Sequence, residues 1–433
     1  MKPKSLLRSL SHRNFRLFFI GQGISVIGTW MQKVAMSWLV FQLTGSSFQL
    51  GLVLFCGQIP ALLLSPVAGV LIDRWNRRRL LLLTQSLSMI QAFLLAFLDM
   101  SGTIAVWQIL PLSLFLGIVT TFDMTSRQVF LSEMVTSRQD LGNAVALNSS
   151  MVNVARLLGP SLAGLLLAAT STGVCFLVNG VSYFAVLLAL LAMRMTPRAQ
   201  PHTRKKLREG LREGFAYAFG FAPIRLILLS VCLMSMAGSS YDVLLPQFSI
   251  GVLHGNARTL GLLGTATGLG SLGGAVFLAT RSTVVGLGKW IWIGLALMGI
   301  GLIAFAHVMQ LWAALPVLAV IGFGMMVQLA VSNTLLQTIA DEDKRGRVMS
   351  FYTMGFLGMA PLGSLLTGWM TVRLGIVSAL MINGSACLFG AALFCALLPR
   401  LRELIRPVYI RLKILPLATG IEAATELKLM VKE

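Results

Sequence analysis

Charged residues, and acidic residues in particular, are scarce in this chain of 433 residues. Only 12% of the residues are charged, with 15 Asp and Glu in all, whereas 56% are hydrophobic. A soluble globular domain carries about 25% charged residues, because charged side chains keep its surface hydrated. The composition therefore excludes a soluble enzyme and a disordered chain.

Signatures of metal, nucleotide and covalent chemistry are also missing. The five cysteines lie in apolar runs without a Cys-x-x-Cys pair, which excludes a disulfide scaffold, and the four histidines are too scattered for a metal site. Gly268, Gly270 and Gly273 fit the spacing of a dinucleotide-binding loop, but that loop requires a preceding strand. We interpret them as helix-packing positions, and we expect no cofactor, no metal and no enzymatic activity.

Long apolar runs are what the sequence does contain. A membrane-spanning helix needs about 20 apolar residues, and its backbone groups must pair within the helix. Twelve segments meet this requirement: 15–43, 48–72, 79–99, 104–126, 144–170, 173–194, 223–250, 259–280, 289–308, 311–333, 351–372 and 375–398. The sequence therefore predicts an all-α membrane protein with twelve transmembrane helices.

The basic residues orient these helices. Lys and Arg outnumber Asp and Glu by 35 to 15, which gives a net charge of +20, but they occur in short groups between the spans and form no continuous basic face. This distribution excludes nucleic acid as a partner. With both termini in the cytoplasm, all basic residues lie on the cytoplasmic side except Arg258, Arg373, Lys33 and Arg156. We expect this orientation in a bacterial inner (plasma) membrane.

The spans fall into two similar halves. Residues 14–33 align without gaps on residues 223–242, pairing Lys33 with Asp242, and Gly159-Pro160 in the fifth span has a counterpart in the eleventh. Internal repeats of this kind are typical of transporters. We predict halves at 1–197 and 223–400, an amphipathic linker helix on the membrane surface at 198–222, and a cytoplasmic tail at 401–433.

The turn between the second and third spans carries the sequence "GVLIDRWNRRR". A generic positive-inside signal needs only the basic residues, whereas this stretch also has a glycine and an aspartate at fixed offsets. It resembles the loop signature of the major facilitator superfamily, Gly-x-Leu-x-Asp-Arg-x-Gly-Arg-Arg-Arg. The matching positions are Gly69, Leu71, Asp73, Arg74, Arg77, Arg78 and Arg79. Asn76 replaces the second glycine, and we expect it to tolerate a positive φ there.

The resemblance implies a twelve-helix transporter in two pseudo-symmetric halves, in which this loop takes part in gating. Segments such as "GNAVALNSSMVNVARLLGPSLAGLLL" are similar to the branch that contains enterobactin and macrolide exporters, and lysophospholipid transporters are related. Gly159 and Pro160 match the pattern that antiporters of the superfamily show in the fifth span, which favours export. Ordinary small-residue packing is the alternative explanation of that pattern.

Charges inside the spans are the remaining signal, because each costs at least about 2.5 kcal/mol at the bilayer centre. We predict that Lys33 and Asp242 form an outer gate and that Arg156 attracts an anionic group of the substrate. Asp123 or Asp242 is expected to carry the coupling proton, with Arg127 alternating between Asp123 and Asp73. Snorkelling of Lys33, Asp123 and Arg127 to the interface is the alternative.

The sequence thus favours a monomeric secondary transporter that exports a small amphiphilic compound against the proton gradient. Its expected partners are that small molecule and the membrane lipids. A carrier of lysophospholipids or other anionic substrates has the same predicted features. A receptor or scaffold that transports nothing also remains open.

Overall fold

The computed structural model describes residues 8–72, 75–135, 138–194, 215–281, 283–341 and 344–412. Within these residues the chain is almost entirely helical and contains no strand. Twelve of the helices are long and apolar enough to cross a membrane, which confirms the predicted number of spans.

Six helices build the first half, and adjacent helices run in opposite directions. They are α1 (Arg13–Thr44), α2 (Ser47–Ile72), α3 (Arg77–Met100), α4 (Val106–Met134), α5 (Arg138–Ala169) and α6 (Thr172–Ala192). Most extend a few residues beyond the predicted apolar runs, because polar residues continue the helix into the interfacial region.

Six further helices build the second half, and two of them are composite. They are α7 (Ala222–Gly251), α8 (Ala257–Ala279), α9 (Lys289–Ala306), α10 (Leu311–Ile339), α11 (Arg345–Leu374) and α12 (Ile376–Arg411). In α7 a π turn at Met234–Gly238 is followed by a 3₁₀ turn at Ser240–Leu244, and α11 has a π turn at Met354–Gly358. Such interruptions change the direction of side chains within a span.

The two halves approach each other most closely at the end distal to residues 8 and 412. A β-carbon on Gly51 of α2 would lie 2.7 Å from the carbonyl oxygen of Ser364 in α11. Between α5 and α8, a β-carbon on Gly164 would lie 2.8 Å from the α-carbon of Gly261, and Ser161 hydrogen-bonds Thr265 at 2.7 Å. Small residues thus allow close backbone packing of the halves at this end.

At the opposite end the described starts of α5 and α11 show no such close packing of one half on the other, and the start of α5 is held within its own half, where Ser9 hydrogen-bonds Asn143 and Asp140. A β-carbon on Gly142 at the beginning of α5, or on Gly346 at the beginning of α11, would meet no atom within 4 Å. The gap between the halves therefore opens at the end where the described chain begins and ends.

The predicted linker and tail are partly within the described residues. Of the linker, the helical turn at 215–220 packs Phe215 and Phe219 against Phe351 of α11, at centroid distances of 6.0 and 6.1 Å, so this turn contacts protein. Residues 198–214 and the tail beyond 412 lie outside the described residues. The α12 helix continues without a break through the predicted boundary at 400–401, and its Leu401 and Tyr409 are buried.

Candidate transport site

A cluster of charged and aromatic side chains lies between the halves. The Lys33 ammonium lies 4.4 Å from the centre of the Trp30 ring in α1, and the Arg156 guanidinium from α5 lies 5.2 Å from the same ring. Asp242 of α7 interacts electrostatically with both cations. The structure therefore brings together three of the five charged residues that the sequence singled out inside the spans, two from one half and one from the other.

These side chains face the gap between the halves. Lys33 and Asp242 are exposed and Arg156 is partly exposed, although all three sit in spanning helices. Among the described residues, the ion pairs within 4.0 Å are made by other groups. The three charges thus lie near one another without a direct salt bridge, an arrangement that leaves room for a ligand or water between them.

Local packing fixes the position of the two cations. A β-carbon on Gly159 would lie only 2.3 Å from the β-carbon of Trp30, so only glycine permits this approach of α1 to α5. The next residue, Pro160, packs against Gly264 of α8. The Gly159-Pro160 pair therefore holds α5 between α1 and α8, and Arg156 lies one turn before it, facing Trp30.

Asp242 owes its position to the irregular part of α7. It lies in the 3₁₀ turn that follows the π turn, and its neighbour Tyr241 is buried and donates a hydrogen bond to the Thr267 hydroxyl at 3.3 Å. The Ser235 hydroxyl in the π turn donates to the carbonyl oxygen of Phe356 in α11. Apolar periodicity alone does not reveal such an interruption, and the Gly238-Ser239-Ser240 run is the sequence signal that points to it.

Asp123 lies apart from this cluster, in the interior of the first half. It accepts hydrogen bonds from Thr84 at 3.0 Å and from Gln85 at 2.7 Å, both on α3, and pairs with Arg127 one turn along α4. Only 3% of the residue is exposed. These partners belong to α3 and α4, so Asp123 and Arg127 hold these two helices together in this state.

The loop signature joins helix ends within the first half. Arg77 pairs with Glu133 at the end of α4, and Arg78 donates to the carbonyl oxygens of Leu190 and Leu191 at 2.9 and 3.0 Å. Gly69 lies in α2, whereas Asp73 and Arg74 are outside the described residues. The predicted pairing of Arg127 with Asp73 therefore also lies outside them.

The expectation for Asn76 is wrong. Its φ is −67°, in the extended region, and its side chain accepts a hydrogen bond from the backbone N–H of Arg79 at 3.1 Å. Asn76 is thus the N-cap of α3, a position where asparagine is among the preferred residues, and no positive φ is needed.

Sequence reasoning missed the buried polar residues of the first half. Gln32 donates to Gln91 at 3.1 Å, and Asn179 donates to Gln32 at 2.7 Å, which links α1, α3 and α6. Glu133 was not singled out either. Polar residues inside apolar runs were the available signal, but their pairing depends on which helices are neighbours.

Comparisons with known proteins place these features in a family. A family model described as transmembrane secretion effector matches residues 4–406. The staphyloferrin A transporter of Staphylococcus aureus is 26% identical over 85% of this chain and 92% of its own length. The multidrug efflux pump Tap of Mycolicibacterium fortuitum is 25% identical, covering 89% of this chain and 93% of its own. The enterobactin exporter EntS of Citrobacter koseri is 26% identical, covering 94% and 98%.

Solved structures agree with the fold. A bacterial homolog of the human lysosomal transporter Spinster, in an inward-facing and unoccupied conformation, superposes with a TM-score of 0.64 at 15% identity, covering 95% of this chain and 98% of its own. A POT family transporter in complex with 5-aminolevulinic acid superposes with a TM-score of 0.70 at 11% identity, covering 90% and 96%. Both likenesses concern the fold alone.

The relatives that match almost the whole chain are transporters, and the match extends across both halves. The chain is therefore a bacterial multi-pass membrane protein that lies in the lipid bilayer and has small molecules as substrates. The chain belongs to the transmembrane secretion effector family, in the exporter branch of the major facilitator superfamily of secondary transporters.

Proposed function

We propose that this protein exports a small amphiphilic compound with an anionic group from the bacterial cytoplasm, driven by the proton gradient. It acts as a monomer in the inner (plasma) membrane, with both termini in the cytoplasm. The gap that opens at the end of residues 8 and 412 then faces the cytoplasm, and the structure represents an inward-facing state. The siderophore and drug transporters among its relatives support export.

One observation supports this proposal most directly. Two cations from the first half and one carboxylate from the second half face the same gap around Trp30. Charges within membrane-spanning helices are expensive, so a cluster of three marks a place where charge is exchanged during function. An anionic group of the substrate is attracted by Lys33 and Arg156, while its apolar part contacts the Trp30 ring.

Asp242 is the proposed proton carrier. In the inward-facing state the substrate binds as Asp242 gives its proton to the cytoplasm. In the outward-facing state Asp242 takes up a proton from the outer side as the substrate leaves, so proton and substrate move in opposite directions. One proton that moves through 100 mV supplies about 2.3 kcal/mol, which drives the shift between the two states.

The same charges serve as the outer gate. In the inward-facing state the halves pack closely on the distal side, and the attraction between Lys33 and Asp242 stabilises that closure. Substrate binding to the two cations weakens the attraction, so the distal side opens. Asp123 is the second proposed coupling group, and its buried pairing with Arg127 limits proton exchange to states in which α3 and α4 separate.

The loop signature is the proposed gate of the cytoplasmic side. Arg77 and Arg78 already bind the ends of α4 and α6, so the loop moves as one body with the first half. Gly69, Asp73, Arg74 and Arg127 are proposed to contact the second half when the cytoplasmic side closes. Gly159 and Pro160 allow α5 to rock against α8 during this movement.

A strain that overproduces the protein tests the proposed direction and energy source. We expect raised export, or raised resistance, for at least one amphiphilic compound in a panel of siderophores, drugs and anionic metabolites, and loss of the effect with an uncoupler. A strain that carries the Asp242→Asn variant at equal protein level is the matched control. An effect that persists with the uncoupler, or none across the panel, contradicts the proposal.

A further inference from the structure

A second cavity lies at the open end of the molecule, away from the charged cluster. Its volume is about 500 Å³, and it lies between the last turns of α10, the first residue of α11 and the end of α12. Its lining residues are Asn333, Thr334, Gln337, Thr338, Arg345 and Leu412. Five of these six are polar, which is unusual for a helix end that packs against its own half.

The α10 helix has two distinct faces at this level. Leu335, Leu336 and Ile339 are buried in the core, whereas Gln337 is exposed and Asn333 is partly exposed on the cavity side. Two pairs of neighbouring polar residues, Asn333 with Thr334 and Gln337 with Thr338, lie one turn apart on α10 and line one wall of the cavity. A wall of this kind offers hydrogen bonds to a polar group in the cavity.

The donors of this wall are only partly used within the protein. The Thr334 and Thr338 hydroxyls donate to backbone carbonyl oxygens one turn back, at 2.9 and 2.8 Å, and the Gln337 amide donates to the Asn333 side-chain oxygen at 2.5 Å. The second N–H of Gln337 remains for a ligand, whereas the Asn333 side chain also hydrogen-bonds Tyr352. Arg345 Nε is buried and has no hydrogen-bond partner among the described residues.

At its far side the cavity is closed by three segments whose side chains meet at the Asp341 carboxylate. Asp341 accepts hydrogen bonds from the Tyr217 hydroxyl at 3.1 Å and from Arg411 at 2.9 Å, and the Lys344 ammonium lies 4.6 Å from the centre of the Tyr217 ring. These contacts dock the end of α12, so Leu412 reaches the cavity. Among the described residues, the Asp341 carboxylate pairs with Arg411 and Tyr217 and not with the Arg345 side chain. Arg345 is therefore the cation that lines the cavity.

We propose that this cavity binds a carboxylate or phosphate group presented from the cytoplasmic side, with Arg345 as the charged ligand and the amide of Gln337 as a neutral donor. If the function proposed above holds, the cavity captures the anionic group of the exported molecule before it reaches Lys33 and Arg156. The headgroup of an anionic phospholipid is the other source of the same chemistry.

Citrate is a suitable probe, because it presents carboxylates and is not a lipid. Binding to the purified full-length protein in phosphatidylcholine nanodiscs is measured by calorimetry at pH 7. We expect Arg345→Gln to weaken citrate binding at least tenfold, while Arg402→Gln, which changes an exposed arginine of α12 outside the cavity, leaves it unchanged. Gln337→Leu removes a donor from another helix and is expected to weaken binding severalfold, which keeps the test valid if Arg345→Gln misfolds.

Equal citrate affinity in wild type and both cavity variants, or no citrate binding at all, overturns the proposal. Binding that is lost in Arg156→Gln but kept in Arg345→Gln also overturns it, because the anion then occupies the central cluster. Repeating the measurement in phosphatidylglycerol nanodiscs identifies the source of the anionic group. If lipid headgroups occupy the cavity, they compete with citrate, and the ratio of the citrate affinity of the wild type to that of Arg345→Gln falls towards one. If they do not occupy it, this ratio is unchanged. The measurement uses no proton gradient, so its failure and a failure of proton-driven export are distinguishable.

Discussion

At the scale of single residues, the proposed transport chemistry depends on where charges lie, because hydrocarbon makes every unpaired charge expensive. Lys33, Arg156 and Asp242 avoid this cost by facing the gap between the halves, and Trp30 lies against both cations. Asp123 and Arg127 avoid it by pairing with each other inside the first half. The two groups therefore differ in kind: the first is accessible to a substrate, and the second is enclosed by protein.

Exchanging the charges of Lys33 and Asp242 tests their interaction. We expect Lys33→Asp and Asp242→Lys each to reduce efflux at least tenfold, because each leaves like charges together, and the double variant to recover a substantial part of it. Efflux is followed as substrate accumulation in everted membrane vesicles. Arg258→Gln, at an exposed arginine outside the cluster, is the control. A double variant no better than the single variants removes the proposed gate pair.

Replacing Trp30 tests the aromatic contact with the two cations. A cation over an aromatic ring contributes about 0.5–2 kcal/mol, depending on how far water is excluded, and 1.4 kcal/mol corresponds to a tenfold change in affinity. We expect Trp30→Leu to raise KM by about three- to thirtyfold, and Trp30→Phe to raise it less. Trp312→Leu changes a tryptophan that is 80% exposed and is expected to leave KM unchanged. An equal effect of the Leu and Phe variants speaks against the contact.

At the scale of helices, glycines decide which spans come close together. The α8 helix uses two faces: Gly261, Gly264 and Gly268 face α5, whereas Gly270 and Gly274 face α10. Gly268 and Gly270 of the spacing that resembles a dinucleotide-binding loop are thus helix-packing positions, as the sequence predicted, whereas a β-carbon on Gly273 would meet only Phe323, at 3.9 Å. The first face lies between the halves and separates during transport, while the second lies within one half and stays closed.

Two glycines of α8 form a matched pair for a stability test. A β-carbon on Gly270 would lie 1.8 Å from the carbonyl oxygen of Ala319, whereas one on Gly273 would lie 3.9 Å from its nearest neighbour, Phe323. We expect Gly270→Ala to lower stability by about 1–3 kcal/mol through overpacking, and Gly273→Ala to leave it unchanged or raise it. Thermal unfolding of the purified protein in detergent checks both. Equal melting temperatures contradict the close packing of α8 on α10.

The docked end of α12 has a defined pH dependence. The hydrogen bond from Tyr217 and then that from Arg411 hold the pKa of Asp341 below its ordinary value. A carboxyl group whose pKa is lowered by docking stabilises the docked form above its ordinary pKa, and the stabilisation is lost only as the pH falls through the lowered value. Docking should therefore persist unchanged from pH 7 to pH 5.

Hydrogen exchange of residues 401–411 measures this docking. After correction for the intrinsic rate, we expect equal protection at pH 7 and pH 5 in the wild type and reduced protection at both values in Asp341→Asn. Arg402→Gln serves as a control with unchanged protection. Protection that falls between pH 7 and pH 5 in the wild type contradicts the assigned role of Asp341.

The sequence predicted the helices well and their contacts less well. Twelve apolar runs of sufficient length leave little choice of structure in a membrane, and the alignment of Lys33 with Asp242 placed both at the same depth. The π and 3₁₀ turns of α7 and the N-cap role of Asn76 were not predicted. The turns of α7 depend on its contacts with neighbouring helices, about which apolar periodicity carries no information, whereas the N-cap is a local feature that an asparagine at a helix start indicates.

At the scale of the whole molecule, the state seen here is closed on the distal side and open where the described chain begins and ends. Alternating access requires the contacts of α5 with α8 and of α2 with α11 to separate while the loop signature and the opposite helix ends come together. We propose that the excess of basic residues, with a net charge of +20, reflects orientation in the membrane and that little of it concerns the substrate. The charges proposed to serve transport are the few that depart from that distribution.

Proton exchange through Asp242 is the most direct test of the proposed mechanism. Everted vesicles are energised by respiration, and a dye that reports the pH gradient is followed while an exported compound is added. We expect the compound to accumulate in wild-type vesicles and to release protons from them, and we expect Asp242→Asn and an uncoupler each to abolish both signals. Accumulation at the wild-type rate in Asp242→Asn vesicles, or accumulation without proton release, would contradict the mechanism.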